Sequence, residues 1–599
     1  MKKNRKVAET ETEIEQVEVV RSAEPEVAAP VDWMWYISCG LIVALSTLLR
    51  FVSLGIKPFH HDEGVNGHFL MQLFRDGVYK YDPANYHGPT LYYIALAFTK
   101  VFGLETLPVR WSVAVWGVLI VVLALFLRRY VGRMASLFAA LFLALSPGLG
   151  YISRYFIHEM FFIFLAMAIA VSMAFFVEKR KPGIGAQIWM GLLLLVCFLP
   201  TSLVLANAVG KDNAGVFWIV WVGISAAELW LVYMLIGSIL SWNEGRAIYL
   251  FLASASASLM FATKETAFIT LGTMLIACVC IPIWRRIYPA ARDIGDDFQN
   301  RELTFANFRE AVGTGTDRTL LIVGTVAVFV YVFVLFFTSF FSYPEGVKKA
   351  LEAYAIWTKT GSKDHVQNGF WAYVEWGKQV EAPIMLLSLA GTIWAFVKPR
   401  SKFVMFAGLW AWGLFAAYTI IPYKTPWLAI SFLMPMCIPA GYLVAELIAT
   451  KEKAVRAVGI ILVAAAAVVL AYQTYVLNFV KYDDEDQPYV YAHTRREFLE
   501  MMNKINYYAE KSGKGNQTAI QIVSPDYWPM VWYVKDFSKA YFHGRVVPSD
   551  GAEIIVAKTP DQETDVMRQY SSQYQLVGTY GLRPGVDLML LVRRDLVDQ

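Results

Sequence analysis

The sequence has few cysteines and few charged residues, and each shortage excludes a class of protein. Its 599 residues include only five cysteines, all within or at the edge of apolar runs and none with metal-ligand spacing. We interpret them as small core residues, so neither a disulfide framework nor a zinc module is expected. Charged residues make up 17% of the chain and the net charge is +4. This balance gives no basis for a nucleic-acid partner.

Motifs of nucleotide-binding and repeat folds are also missing. The tail after residue 480 has no glycine-rich phosphate loop, and no repeat of solenoid period is found. The N-terminal MKKNRK resembles the basic part of a signal peptide, but a long polar stretch and no cleavage site follow it. We therefore predict that residues 1–32 form a disordered cytoplasmic tail and that Trp33–Leu54 is a retained membrane helix.

Apolar residues are abundant, at 57% of the chain. Many apolar runs reach the roughly 20 residues that a bilayer-crossing helix needs. The sequence thus predicts a mainly α-helical, polytopic membrane protein with about thirteen transmembrane helices. The predicted spans are 33–54, 107–129, 135–151, 157–177, 184–207, 216–240, 247–263, 267–284, 319–341, 381–397, 403–421, 427–448 and 455–477.

Basic residues predict the orientation of these spans. Short loops rich in Lys and Arg remain cytoplasmic, and the basic loops here all fall on one side of the predicted spans. The opposite, extracytoplasmic side collects HHDE at 60–63, SRYFIHE at 153–159, TKET at 263–266, SYPEG at 342–346, IPYKTP at 421–426 and the tail. The charge rule and the positions of these motifs therefore agree on one face of a plasma membrane.

The tail changes character after the last span. A helical pattern at 495–512 is followed by strand-like runs at 519–523, 554–557 and 588–592. Residues 481–599 are thus predicted to form an extracytoplasmic α/β domain of ordinary size, after a transmembrane domain at 33–480.

Asp62 and Glu63 open the first extracytoplasmic loop. Apolar residues recur at helical spacing over 62–75, which predicts an amphipathic helix at the membrane surface. One interpretation makes Asp62 a simple helix N-cap. The neighbouring histidines, and Tyr86 and His87 later in the loop, favour a site instead.

Two further groups of ionisable residues lie on the same predicted face. Arg154, His158 and Glu159 stand where two spans meet, and the alternatives are a functional group or a structural Arg154–Glu159 pair. Lys264 and Lys424 either extend to the interface or bind a phosphate as point charges.

Acids, imidazoles and cations thus gather at one face, which suits group transfer from a lipid phosphate. A carboxylate can take the proton of an acceptor, and Arg or Lys can stabilise the phosphate that leaves. A transporter or flippase of lipid-linked saccharides would place its charges mid-span, at broken helices. A scaffold that binds a partner through the tail is a third possibility.

The motifs resemble those of a known superfamily. An acidic pair directly after the first span, an amphipathic helix and a Pro-ended loop look like the GT-C membrane glycosyltransferases, in the branch of protein O-mannosyltransferases and the lipid A aminoarabinose transferase. Within it, the segments HHDEGVNGHFLMQLFRDGVYKYDPANYHGP, SRYFIHEM, FATKET, YKTPWL and YAHTRREF resemble a prokaryotic family named for an association with flippase activity.

The resemblance implies an inverting transfer from a polyprenyl-phosphate sugar to a lipid, glycan or protein acceptor outside the cell. Asp62 matches the superfamily's catalytic acid and Glu63 its companion, while Glu159 with Arg154 matches the second-loop acid and arginine. Lys264 matches a lysine expected to contact phosphate. The segment 364–373 lacks the proline that relatives carry there. We add His61, Tyr86, His87, His158, Tyr343, His365 and Lys424 as substrate-binding candidates.

Metal use stays open at this point. Some GT-C enzymes bind a divalent cation through acids, and the mannosyl-phosphate branch generally does not need one. Asp62 and Glu159 with His60 or His158 offer oxygen and nitrogen ligands, but no spacing among them proves a site.

Overall fold

The computed structural model of the protein describes residues 32–85, 87–288, 303–360 and 368–597. The predicted disordered tail therefore lies, except for Asp32, outside the described residues. Contacts divide the chain into the units Met1–Leu41 and Ile42–Gln599. The first unit contributes the start of the helix Trp33–Phe51. Since the second unit contains both the apolar helices and the tail, a domain boundary at residue 480 stays a prediction.

Long apolar helices dominate the described part of the chain, which is a multi-pass membrane protein. Within the described ranges, ten helices are long and apolar enough to cross a membrane: Trp33–Phe51, Thr106–Phe126, Glu159–Val177, Ile184–Gly210, Ala214–Gly245, Ala267–Ile287, Gly315–Phe337, Lys402–Ile420, Pro426–Ala449 and Lys453–Val480. Each corresponds to a predicted span.

The other three predicted spans are shorter or broken. The span at 135–151 is the helix Arg133–Leu145, which stops because Pro147 follows; Ser146 then caps the short helix Pro147–Ile152. The span at 247–263 is the helix Ala247–Phe261. The span at 381–397 is the helix Ala382–Val397, which meets the preceding helix Ala372–Val380 at a bend of 110°. An apolar run in the sequence therefore overestimates the length of the straight helix.

The remaining helices of the described membrane part lie in its loops. The predicted amphipathic segment is the helix His61–Asp76, here named the Asp62 helix, and a predicted loop helix is Phe305–Val312. The others are Thr90–Phe102, Arg128–Val131 and Gly346–Thr360.

The C-terminal domain, here residues 497–597, combines one mixed sheet with helices. Its strands are β1 (Ala519–Ile522), β2 (Lys539–Phe542), β3 (Ile554–Thr559), β4 (Tyr574–Arg583) and β5 (Val586–Arg593), and its helices are Glu497–Lys511, Met530–Tyr533 and Glu563–Tyr570. The strand order is β2-β1-β3-β5-β4.

In this sheet β1 is parallel to β2 and β3, whereas β5 is antiparallel to β3 and β4. Residues such as Phe498, Ile520 and Leu588 fill the core on one face. The predicted helix and the predicted strands β1, β3 and β5 are present, and β2 and β4 are additional.

The C-terminal domain packs directly on the Asp62 helix. The Phe59 N–H donates a hydrogen bond to the Tyr533 hydroxyl oxygen over 2.9 Å. Phe59 and Trp532 stack with ring centroids 4.9 Å apart. A Cβ on Gly64 would lie 2.6 Å from Pro529 Cα, and one on Gly67 would lie 2.8 Å from Trp532. Both glycines therefore allow an approach that any larger residue would prevent.

Gly64→Ala is expected to destabilise the protein by about 1–3 kcal/mol, the usual cost of overpacking. In a helix with free space around it, the same change normally stabilises the protein by roughly 0.5–1 kcal/mol. Here the added Cβ would meet the backbone of Pro529, so the expected change in stability has the opposite sign. Thermal unfolding in detergent measures the effect, and Gly272→Ala, with no atom within 4 Å of the added Cβ, is the matched control. Equal stability of both variants would contradict the close packing.

Candidate active site

A cavity of about 430 Å³ lies between the start of the Asp62 helix and the C-terminal part of the chain. Five predicted site residues line it: His61, Asp62, His87, His158 and Glu159. The wall also includes His60, Tyr423, Trp427, Tyr491 and Arg583. Several distant segments of the sequence thus meet at one place.

Asp62 presents its carboxylate to this cavity. The side chain is 39% exposed, and its Oδ2 lies 3.6 Å from His60 Nδ1. The Tyr155 hydroxyl is 3.5 Å from the same oxygen, at the limit of a hydrogen bond. Because its protein contacts are this long, the carboxylate can accept a proton or hydrogen bond from a molecule in the cavity.

His60, not Asp62, caps the helix. Its Nδ1 accepts the Asp62 N–H over 3.0 Å, and Glu63 in turn accepts the His60 N–H, which completes a capping box. The interpretation of Asp62 as a simple N-cap is therefore wrong. The cap instead fixes the first turn of the helix so that Asp62 faces the cavity.

Glu63 has a different environment from Asp62, and a direct catalytic role does not fit it. The side chain is fully buried, and Arg110 donates to its oxygens over 2.9 and 2.7 Å. It also accepts from the Phe156 and His60 N–H groups. Burial raises the pKa of Glu63, but Arg110 and these hydrogen bonds outweigh it and hold the pKa below its ordinary value. Its contacts hold Arg110 and the backbone of His60 and Phe156 in place.

Arg154 does not reach the cavity or Glu159. Its guanidinium donates to the carbonyls of Leu49, Val52 and Ser53 over 3.1, 2.7 and 2.8 Å. The last carbonyls of a helix have no partners within it, so a cation there satisfies them. The alternative Arg154–Glu159 pair is therefore wrong for this structure, whereas a phosphate contact of Arg154 stays a prediction.

Glu159 pairs with Lys264 instead. Lys264 Nζ donates to Glu159 Oε1 over 2.7 Å, and both side chains are almost fully buried. Burial lowers the pKa of Lys264, but the negative charges of Glu159 and Glu265 outweigh burial and raise the pKa above its ordinary value. The amine therefore stays charged. Glu159 borders the cavity whereas Lys264 does not, and the phosphate contact of Lys264 stays a prediction.

Two more histidines, His87 and His158, line the cavity. The rings of His87 and His158 lie 5.0 Å apart. His158 Nε2 lies 3.0 Å from the Gly88 carbonyl, and His87 Nδ1 lies 3.1 Å from Glu265 Oε2. Burial, and next the charge of His87, hold the pKa of His158 well below its ordinary value. A neutral His158 can donate to Gly88 and keep its other nitrogen unprotonated.

The remaining substrate-binding candidates lie elsewhere. Lys424 is buried and donates to the Ile421 carbonyl over 2.7 Å, and neither it nor Tyr343 lines the cavity. For both, the predicted substrate contact stays a prediction. Tyr86 and His365 lie outside the described residues, so their predicted roles remain predictions.

Arg583 was missed by the sequence analysis. It ends β4, donates to Asp526, and lies with Nη1 3.3 Å from His61 Nδ1. Burial lowers the pKa of His61 to about 4, which leaves this nitrogen free to accept. The turn sequence Arg583-Pro584-Gly585 predicts a hairpin, but nothing in it indicates a contact with a residue hundreds of positions earlier.

The residues present do not fit a divalent cation. Among the residues that the structure describes, no group of three or more His, Cys, Asp or Glu could hold a metal ion. Two of the metal ligands that the sequence suggested have other partners: Glu159 is hydrogen-bonded to Lys264, and His158 to the Gly88 carbonyl.

One family model and several solved structures resemble this chain. The model, described as dolichyl-phosphate-mannose-protein mannosyltransferase, matches residues 86–209, a segment that includes His158 and Glu159. No curated protein matches the sequence.

The solved structures match nearly the whole chain. ArnT from Cupriavidus metallidurans bound to undecaprenyl phosphate is 14% identical, with a TM-score of 0.54 over 95% of this chain and 100% of that one. Apo ArnT from the same organism is 14% identical, with a TM-score of 0.51 over 95% of this chain and 99% of that one. The chain has an ArnT-like GT-C fold. The apo oligosaccharyltransferase of Archaeoglobus fulgidus is 12% identical, with a TM-score of 0.49 over 88% of this chain and 70% of that one.

The GT-C fold is the fold class that the sequence predicted. Because the likeness to ArnT covers 95% of this chain, it includes the helices that form the cavity as well as the C-terminal sheet. Sequence identity is too low for it to assign individual residues, so the site rests on its own geometry.

Proposed function

We propose that the protein is an inverting glycosyltransferase that moves a sugar from a polyprenyl-phosphate donor to a hydroxyl of a lipid, glycan or protein acceptor. The observation that carries the proposal is the exposed carboxylate of Asp62 in a cavity of a GT-C fold. The crystal structure of ArnT bound to undecaprenyl phosphate and the family description, which names a dolichyl-phosphate sugar, both support a lipid-phosphate donor.

In this reaction Asp62 is the general base. Its carboxylate takes the proton of the acceptor hydroxyl as the oxygen attacks the anomeric carbon. The new bond forms between that oxygen and the anomeric carbon, while the bond from the anomeric carbon to the phosphate oxygen breaks. The polyprenyl phosphate leaves with the electron pair. Attack from the face opposite the phosphate inverts the anomeric centre.

In the same proposal, Glu159, His87 and His158 bind and orient the sugar. Glu159 Oε1 accepts from Lys264, and its carboxylate retains further acceptor capacity for sugar hydroxyls. His87 and His158 border the same side of the cavity. Trp427 offers an apolar ring surface in the wall, which suits packing against a sugar face.

The orientation of the chain belongs to the same proposal: the cavity opens on the extracytoplasmic side. Segments with predicted cytoplasmic positions meet one another, as in the Arg129–Glu178 and Lys179–Glu310 ion pairs. Segments with predicted extracytoplasmic positions meet at the cavity. This separation supports the positive-inside assignment.

A transfer assay tests the function. Purified protein in lipid receives radiolabelled polyprenyl-phosphate sugars, each with membrane extract as the acceptor source, and we expect labelled product from at least one donor. Heat-unfolded protein is the control. Movement of donor across vesicles without any product would contradict the proposal and favour the transporter that the sequence left open.

A further inference from the structure

The cavity needs a cation if it binds a phosphate, and the predicted cations do not supply one. Arg154 donates hydrogen bonds to carbonyls at a helix end, and Lys264 forms an ion pair with Glu159. Lys424 donates a hydrogen bond to the Ile421 carbonyl. Among the described residues that line the cavity, Arg583 is the one Lys or Arg. It comes from the C-terminal domain, more than 500 positions after Asp62.

Arg583 is held in place but retains donors for a ligand. One Nη donates to Asp526, and the other lies 3.3 Å from His61 Nδ1. Asp526 is itself fixed by Lys558, whose Nζ lies 3.1 Å from Oδ2. A guanidinium has five N–H donors in a planar fork, so these two contacts leave N–H groups for an oxyanion. The side chain is 19% exposed, so it is accessible from the cavity.

The position of Arg583 relative to Asp62 is fixed by the packing of the two parts of the chain. Loop residues after β1 reach the Asp62 helix at Gly64, and the Trp532 indole donates to Thr106 Oγ1 over 3.1 Å. His61, which contacts Arg583, directly precedes Asp62. The same contacts thus fix the separation between the cation and the proposed base.

We propose that Arg583 binds the phosphate of the lipid donor, so that the C-terminal domain completes the active site. The inference rests on the proposed function, because it assigns the donor's charged group to this side chain. A planar guanidinium matches the phosphate oxygens and forms charge-assisted hydrogen bonds to them. As the anomeric bond breaks, the departing phosphate gains charge, and Arg583 stabilises it.

Binding of two lipids that differ only in the phosphate tests the inference. Full-length protein in phosphatidylcholine nanodiscs is titrated with undecaprenyl phosphate and with undecaprenol, and the fluorescence of tryptophans such as Trp427 reports binding. Wild-type protein should prefer the phosphate. Arg583→Ala should lower the affinity for undecaprenyl phosphate by about 10- to 100-fold and leave that for undecaprenol unchanged, with Arg583→Lys between them.

Arg568→Ala is the matched control. Arg568 also pairs with an aspartate, Asp565, in the same domain, but on an exposed helix. Thermal unfolding of each variant shows whether it is folded. If a folded Arg583→Ala variant keeps the wild-type preference for undecaprenyl phosphate, the inference about Arg583 is wrong and the proposed donor class still stands. Wild-type protein without any preference for the phosphate overturns the proposed donor class as well.

Discussion

Asp62→Asn is expected to abolish sugar transfer while the protein stays folded and still binds donor. Asparagine has nearly the same shape but cannot take a proton from the acceptor. Loss of a general base typically slows a reaction by about 10²- to 10⁴-fold. Since the cap of the helix uses the Asp62 backbone N–H and not its carboxylate, the substitution leaves the fold intact.

The measurement is product formation per minute from a radiolabelled donor, beside undecaprenyl phosphate binding by the same sample. Asp76→Asn, an exposed residue at the other end of the same helix, controls for the loss of one negative charge. If Asp62→Asn transfers sugar at the wild-type rate, Asp62 is not the base. Glu159, the other carboxylate that lines the cavity, would then take its place.

The sequence predicted the location of this site better than the partners of its residues. Five candidates line one cavity because membrane sidedness and motif position restrict loop residues to one face. The hydrogen-bond partners of the cations could not be predicted, for a physical reason. An arginine that satisfies helix-end carbonyls and one that binds phosphate have the same local pattern, and only the tertiary contacts of Arg154 distinguish them.

The C-terminal domain shows the same limit. Its strands β1, β3 and β5 are continuous buried runs and were predictable from apolar residues. β2 has no fully buried residue, and β4 mixes buried with exposed residues, so neither strand is a continuous apolar run. Arg583 lies at the end of β4, and its role depends on contacts with Asp526 and His61. Sequence spacing carries no information about such contacts.

Removing the Glu63 charge is expected to cause the largest loss of stability in this region. In Glu63→Gln, Arg110 would remain fully buried without its counter-charge, and breaking a buried ion pair in this way costs about 3–5 kcal/mol. Unfolding by SDS titration measures the loss. Glu485→Gln, which breaks the exposed Arg495–Glu485 pair, is the control and should change little, because exposed pairs contribute weakly.

A second variant separates the charge from the hydrogen bonds. Replacing both partners, with Glu63→Leu and Arg110→Met, removes the unpaired charge and should recover part of the stability. Recovery should be incomplete, because Arg110 also donates to the carbonyls of Leu54, Lys57 and Pro58. Glu63 likewise accepts the N–H groups of His60 and Phe156.

These same contacts connect stability to the site. His60 and Phe156 lie next to the cavity residues His61 and Ile157, so the Glu63–Arg110 pair holds the backbone on two sides of the cavity. We therefore expect Glu63→Gln to lose transfer activity in proportion to its loss of folded protein. If the variant is as stable as wild type and yet inactive, Glu63 takes part in the chemistry, as the resemblance to the GT-C enzymes first implied.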